Sequence, residues 1–283
     1  MFAEPAPFVL LEEPAGGRPP PAEGTVRRRV VLPIRQEMLP LTADAACRPA
    51  RLAGIIPLIH AIDDRLMAIY LRHAAQQHKQ VFCREGCSTC CRRFLVLLSP
   101  AEMYYLMEQM PSLPPRRQRH ARDWFAAVTE KAKRAGLIDR LRGLRPDDKP
   151  LDIVEQWWCG QADTACPFLD VETGACGIYP IRFVACREYC SHAPPEHCAR
   201  RATARMPLPL NLFNVPWQLE QALSGQPRGA IELPLLDIWR EILSGQADRT
   251  WPAPAMLDEL FRILVETADQ AQDLGGGDVV ARP

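Results

Sequence analysis

Leu52, Ile55, Ile56, Ile59, Ile62, Leu66, Ile69 and Tyr70 recur at the intervals of one helix face, which predicts a helix from Arg51 to about Lys79. Ser99-Pro100-Ala101-Glu102 has the capping-box arrangement with proline at the first helical position. A second helix is therefore expected from 100 to about 110, stopped by Pro111, Pro114 and Pro115. Residues 116–144 repeat the pattern through Trp124, Phe125, Val128, Ala132, Ile138 and Leu141, and a shorter stretch covers Asp152 to Trp158. Two further apolar faces follow, Leu235-Leu236-Ile238-Trp239-Ile242-Leu243 and Met256-Leu257-Leu260-Phe261-Ile263-Leu264. Strand signals are sparse: Val30 to Ile34 reads as a short extended piece, and Phe94 to Leu98 is too short to tell buried strand from connection. No internal repeat is seen.

At 283 residues and 47% hydrophobic composition the chain is long enough for one large or two modest domains with a real core. Proline, 28 residues, is at roughly twice its usual ~5% share, so short helices should be joined by stiff loops. Residues 1–50, with Pro19-Pro20-Pro21 and Arg27-Arg28-Arg29, read as a proline-rich arm, largely disordered. Residues 51–200 are expected to form a cysteine-cluster domain with a helical insertion at 100–158. A C-terminal helical segment, 201–275, should pack on it, and 276–283 is expected to be a disordered tail.

Net charge is zero, 34 basic against 34 acidic residues, which gives no global attraction to nucleic acid or acidic lipid. Ten Arg or Lys against three acids between 116 and 145 make a local net of +7, which reads first as a solvated helix face. Nucleic acid is not the expected partner, since neither interleaved exposed aromatics nor a recognisable binding fold accompanies that charge. The first residues carry no basic signal region, and no segment reaches the ~20 apolar residues of a spanning helix, so a cytoplasmic protein without membrane attachment is expected.

Eleven cysteines change the picture. Cys83, Cys87, Cys90 and Cys91 fall within nine residues, and Cys159, Cys166, Cys176, Cys186, Cys190 and Cys198 follow about 75 residues later. In a reducing compartment such clusters are metal-binding or catalytic more often than disulfide-bonded, and the odd count argues against a complete disulfide framework. An all-sulfur donor set selects Zn²⁺ or iron–sulfur clusters over hard cations. Gly86 permits a tight turn between the first two thiols. Cys91 is awkward, because successive side chains diverge and two neighbours do not easily bind one ion. Cys159, Cys190 and Cys198, with His192 and His197, match no standard finger spacing and stay unassigned. His60, His73, His78, His120 and Cys47 read as structural.

The run Cys83-x3-Cys87-x2-Cys90-Cys91, then Cys166-Pro167-Phe168-Leu169, Cys176-Gly177-Ile178-Tyr179, and Arg182 before Cys186-Arg187, resembles the YkgJ family of cysteine-cluster proteins. Its domain is described as zinc- or iron-chelating. The resemblance covers roughly residues 80–190. It implies Cys83, Cys87, Cys90, Cys91, Cys166, Cys176 and Cys186 as metal ligands and places Arg182 and Arg187 at the family's basic positions. Phe183 stands where the family commonly has proline, so the turn before Cys186 should differ. Arg84, Arg92, Arg93, Arg182 and Arg187 lie beside the cysteines and could offset thiolate charge. The fold class expected overall is mainly α, an irregular cysteine-rich metal-binding core surrounded by helices.

Three functions compete. The first is a protein holding an iron–sulfur cluster, for example 4Fe-4S, or zinc, used in electron transfer or metal-dependent protein modification. The second is an S-adenosylmethionine-dependent protein-lysine methyltransferase, because flagellin lysine-N-methylase resembles this family in its cysteine cluster. The third is a structural zinc module for protein interaction. The expected partner is a protein, bound or modified, of unknown identity.

Overall fold

The computed structural model describes residues 6–12, 19–92, 94–143, 149–161, 165–199, 208, 210–225 and 230–273. Along the chain run β1 (Phe8–Leu11), β2 (Thr25–Ile34), β3 (Glu37–Ala46), β4 (Pro49–Arg51) and α1 (Ile56–Gln76). Then come β5 (Leu97–Leu98), α2 (Pro100–Gln109), α3 (Pro115–Arg134), α4 (Leu137–Arg142), α5 (Pro150–Cys159), α6 (Val184–Arg187) and α7 (Pro195–Ala199). The chain closes with α8 (Val215–Ser224), β6 (Ile231–Glu232), α9 (Leu236–Ile242), β7 (Thr250–Pro252) and α10 (Ala253–Asp273). The fold is mainly helical, as the apolar spacing predicts.

The expected disordered arm is the main departure. Within residues 1–50 the chain builds an antiparallel sheet in the order β1-β3-β2. Its hairpin turns at Arg35-Gln36, with Ile34 opposite Glu37 and Arg35 at φ +55°. Composition pointed to disorder, but pairing decides the outcome. Leu32 and Ile34 alternate inward and are buried with Leu39, Leu41, Ala43 and Ala45. Two of the three arginines are anchored: Arg27 pairs with Asp44 across the sheet at 2.7 Å, and Arg28 with Asp258 on α10. Residues 1–5 and 13–18 of the arm, and the tail 276–283, lie outside the described residues.

The helical insertion comes as α2 to α5. The single helix expected over 116–144 is two, α3 and α4, because Gly136 turns the chain at φ +67°. Two short ladders tie distant segments together: β4 with β7, and β5 with β6. The second of these settles Leu97-Leu98 as buried strand.

Two main apolar cores result. The first lies between the sheet, α1, α8 and α10, and includes Ile59, Leu66, Leu219, Leu257 and Leu260. The second is built from α2 and α3 with Leu98, Phe168, Ile178, Phe183 and Leu236. Polar groups link them. Glu102, fully buried in the first turn of α2, completes the capping box by accepting from the Ser99 N–H at 2.9 Å, while Ser99 Oγ accepts from the Glu102 N–H. Its other oxygen accepts from the Val184 N–H at 2.8 Å, which fixes the start of α6. From α6 the buried Arg187 reaches Asp64 on α1 at 2.6 Å and donates to the carbonyls of Pro180 and Arg182.

On its buried face α1 also carries His60 and Asp63. His60 packs edge-on against Tyr105, ring centroids 5.9 Å apart. Neither carboxylate oxygen of Asp63 has a hydrogen-bond partner. Burial pushes the Asp63 carboxyl up to about 7, against the pull of Arg187 and Arg182 and helped by Asp64. Burial, then Arg187 and Arg182, lower His60 to about 3.

Two predictions follow from these buried groups. Glu102→Ala leaves three buried donors without an acceptor and should cost about 3 kcal/mol in urea unfolding, whereas Glu102→Gln, which keeps a side-chain carbonyl, should cost clearly less. Equal losses would remove the clasp. For Asp63 the folded chain keeps a proton that the unfolded chain releases above its ordinary value of 3.8, so its contribution is lost as pH rises towards 7. His60 has the opposite slope, since the unfolded chain takes up a proton below 6.5 that the folded chain refuses. Asp63→Asn should therefore remove the Asp63 share of the pH dependence. Its stability relative to the parent should be nearly unchanged at pH 4 and higher by about 4 kcal/mol at pH 8. A difference independent of pH would contradict this assignment.

Candidate metal centre

After α1 the chain runs extended to Arg84 and turns at Glu85-Gly86, where Gly86 takes φ +85° and the Cys87 N–H donates to the Arg84 carbonyl at 3.0 Å. Cys90 and Cys91 open a single 3-10 turn, closed by the Phe94 N–H on the Cys90 carbonyl at 2.9 Å. The downstream segment lies against this loop. The Cys166 N–H donates to the Cys91 carbonyl at 2.7 Å, so the two cysteine segments are joined backbone to backbone.

Beyond Cys166 the chain doubles back. Leu169 bridges Cys176, the Gly177 N–H donates to the Phe168 carbonyl at 2.7 Å, and Asp170 caps the turn through the N–H groups of Glu172 and Thr173. Cys186 is carried by α6. Phe183, at the position where proline was expected, begins that turn instead: its carbonyl accepts from the N–H groups of Cys186 and Arg187, and its ring is buried in the second core.

All seven sequence-derived candidates thus lie on two touching segments, and every one is a free thiol, as are Cys47, Cys159, Cys190 and Cys198. The sulfurs of Cys90 and Cys91 stand 4.0 Å apart. Cys90, Cys166, Cys176 and Cys186 lie within one another's electrostatic reach. Among the described residues no three Cys, His, Asp or Glu side chains are gathered closely enough, as placed, to hold a metal ion.

Their electrostatics fit a cationic occupant. Burial pushes the Cys166 thiol up to about 12 and Cys176 upward. It also pushes Cys186 well above the usual range, with the charges of Cys166, Cys90 and Cys176 adding to the effect. The Cys91 thiol, then burial, raise Cys90. Buried thiolates this close together repel one another, and a metal cation is the counter-charge that lets them ionise. The donor set, thiols with no carboxylate among them, is that of Zn²⁺ or iron–sulfur chemistry.

The arginines divide. Arg182 stacks on Tyr179, 4.1 Å from its ring centroid, and its field lowers Cys83, Cys176 and Cys190, so it offsets thiolate charge. Arg187 instead clamps α6 to α1. Arg92 donates to the Val171 carbonyl at 2.9 Å, Arg84 is exposed, and Arg93 lies outside the described residues. Arg117 on α3 was not singled out by the sequence. It sits directly over Gly177, where any added Cβ would overlap its guanidinium, and its charge reaches Cys176. Nothing local marks it, since it is one of many arginines on that helix.

Of the unassigned residues, Cys159 is exposed at the end of α5 and His197 is exposed on α7. One ring nitrogen of His192, Nδ1, lies 3.0 Å from the Gln80 carbonyl. Cys190 and Cys198 are buried. Cys190 was weighed only as an extra, yet its side chain hydrogen-bonds that of Cys83.

No curated protein and no solved structure matches this chain. One family model does, CxxCxxCC, described as a "putative zinc- or iron-chelating domain", over residues 82–204. That span holds all seven candidate thiols together with Cys190 and Cys198. Over residues 82–204 the chain is therefore similar to a zinc- or iron-chelating cysteine-cluster domain, in keeping with the resemblance of its motifs.

Proposed function

We propose that this protein binds zinc or an iron–sulfur cluster through thiolates drawn from Cys83, Cys87, Cys90, Cys91, Cys166, Cys176 and Cys186. The observation that carries the reading is the Cys166 N–H bond to the Cys91 carbonyl, which sets the downstream thiols against the upstream loop. A family description of zinc or iron chelation over the same residues supports it.

The chain's own residues do the holding. Gly86 lets the upstream loop turn, the Leu169–Cys176 bridge orients Cys176, and the Glu102–Val184 bond fixes α6 beneath Cys186. Arg182 offsets charge from the thiolate side. When bound, zinc would supply a fixed structural or Lewis-acid centre, and an iron–sulfur cluster would supply one-electron redox chemistry. An iron–sulfur group in this role suits electron transfer or metal-dependent modification of a protein substrate. Membrane attachment by a spanning helix has no support, since no helix among the described residues is long and apolar enough to cross.

Protein purified without oxygen and analysed for iron, sulfide and zinc should contain one of the two. Broad visible absorption would identify iron–sulfur, and a colourless zinc-loaded sample would identify zinc. Cys176→Ser should lower metal content by at least half while leaving the far-ultraviolet circular dichroism unchanged. Full metal content in that variant would remove Cys176 from the ligand set, and a metal-free parent would end the proposal.

A further inference from the structure

The seven-cysteine set leaves an awkward number for tetrahedral or four-iron centres, and the structure divides the thiols differently. We infer that the domain holds two thiolate centres of four cysteines each. Cys83, Cys87, Cys190 and Cys198 form one. Cys90, Cys166, Cys176 and Cys186 form the other, and Cys91 belongs to neither. The inference rests on the metal-binding function proposed above and deepens it.

Packing separates five of the eight thiols. Cys190 is buried in the first core, between the sheet, α1 and α10, and Cys83 packs against that same core. Cys166, Cys176 and Cys186 all pack against the second core, beside Phe168, Ile178 and Phe183. Residues that sequence spacing placed in one cluster therefore lean on different hydrophobic bodies.

Backbone tethers agree with this division. The Phe82 N–H donates to the Ser191 carbonyl at 3.1 Å, and His192 Nδ1 contacts the Gln80 carbonyl at 3.0 Å. These contacts lay the segment entering Cys83 alongside the segment leaving Cys190, and the two thiols influence each other across it. Cys198, on α7, hydrogen-bonds the Ser191 side chain and feels the charges of Cys83 and Cys87 first among the thiols. In the other set, Cys166 is tied to the upstream loop through the Cys91 carbonyl, and its nearest charged neighbours are Cys176 and Cys90. Cys186 feels Cys166, Cys90 and Cys176.

Cys91 has a different task. Its carbonyl holds Cys166, and its sulfur, 4.0 Å from that of Cys90, is a fifth thiol beside a set that already numbers four. Arg182, whose field reaches Cys83, Cys190 and Cys176, stands where both centres place negative charge. Closing either set onto a metal requires rotation of cysteine side chains, for which three staggered χ1 positions are available.

The test is a titration of the full, metal-stripped and reduced chain with Co²⁺ under argon, read by thiolate-to-metal absorption and by metal analysis after desalting. Two equivalents should bind. Cys190→Ala and Cys198→Ser should each bind one, Cys176→Ser should bind one, Cys190→Ala with Cys176→Ser should bind none, and Cys91→Ser should keep two. Cys83→Ser, at a half-buried position, repeats the first-set test should the buried variants fail to fold by circular dichroism. One equivalent in the parent, lost alike on changing Cys190 or Cys176, would show a single shared centre and overturn the division. Two equivalents insensitive to both Cys190 and Cys198 would overturn it as well. No binding in the parent would instead defeat the metal-binding proposal itself.

Discussion

Burying thiolates beside one another is possible only with positive charge close at hand, and this constraint organises the middle of the molecule. The cysteine loops lie against two apolar cores, where partial burial weakens the screening of their charges by water. Acidic groups in the same region make the constraint sharper. Asp63, Glu102 and Glu188 are buried, and burial raises the carboxyl of each. Against them stand Arg187, committed to Asp64 and two carbonyls, and Arg182, with its Nε unpartnered. Ionised thiols would exceed what these two arginines offset, and a bound metal cation would supply the remainder.

The remainder of the fold keeps these loops in place. The β4–β7 pair closes the first core around α10, and the β5–β6 pair closes the second around α9. Each core approaches the cysteines from its own side; Tyr105 packs against both, and polar bridges join them as well: Glu102 to Val184, Arg187 to Asp64, and Glu188 to the Leu212 N–H at 2.5 Å. Polar bridges with buried partners specify one geometry, because any slip would strand a charge or a donor.

Much of this was legible beforehand, and the failures share a cause. Helices α1, α2, α5 and α10 were readable because each presents a continuous apolar face with punctuation, down to the capping box at Ser99 and Glu102. The first four thiols stood out by local density, and the resemblance of the motifs supplied Cys166, Cys176 and Cys186 as further candidates. The sheet at the start was missed because arginine and proline content outweighed a two-residue alternation at Leu32 and Ile34, and because the partners that satisfy Arg27 and Arg28 sit on another strand and on α10. Cys190 and Arg117 were passed over for the same reason. Their meaning comes from Cys83 and Gly177, far away in the chain, and spacing carries no trace of such a meeting.

The two cysteine loops also meet at a pair of glycines. Gly174 lies so near the Gly86 carbonyl that a Cβ built on it would stand 2.9 Å from that oxygen, and both residues take positive φ. No side chain separates the two cysteine loops here, and the main chain itself sets their spacing. Together with the Cys166–Cys91 hydrogen bond, this contact holds the loops at two points. Loops held at two points cannot adapt freely to an ion of any size, so the adjustment to a bound group falls to the cysteine side chains. Selection between metals in such a site comes from ligand chemistry and the rigidity of the backbone behind it.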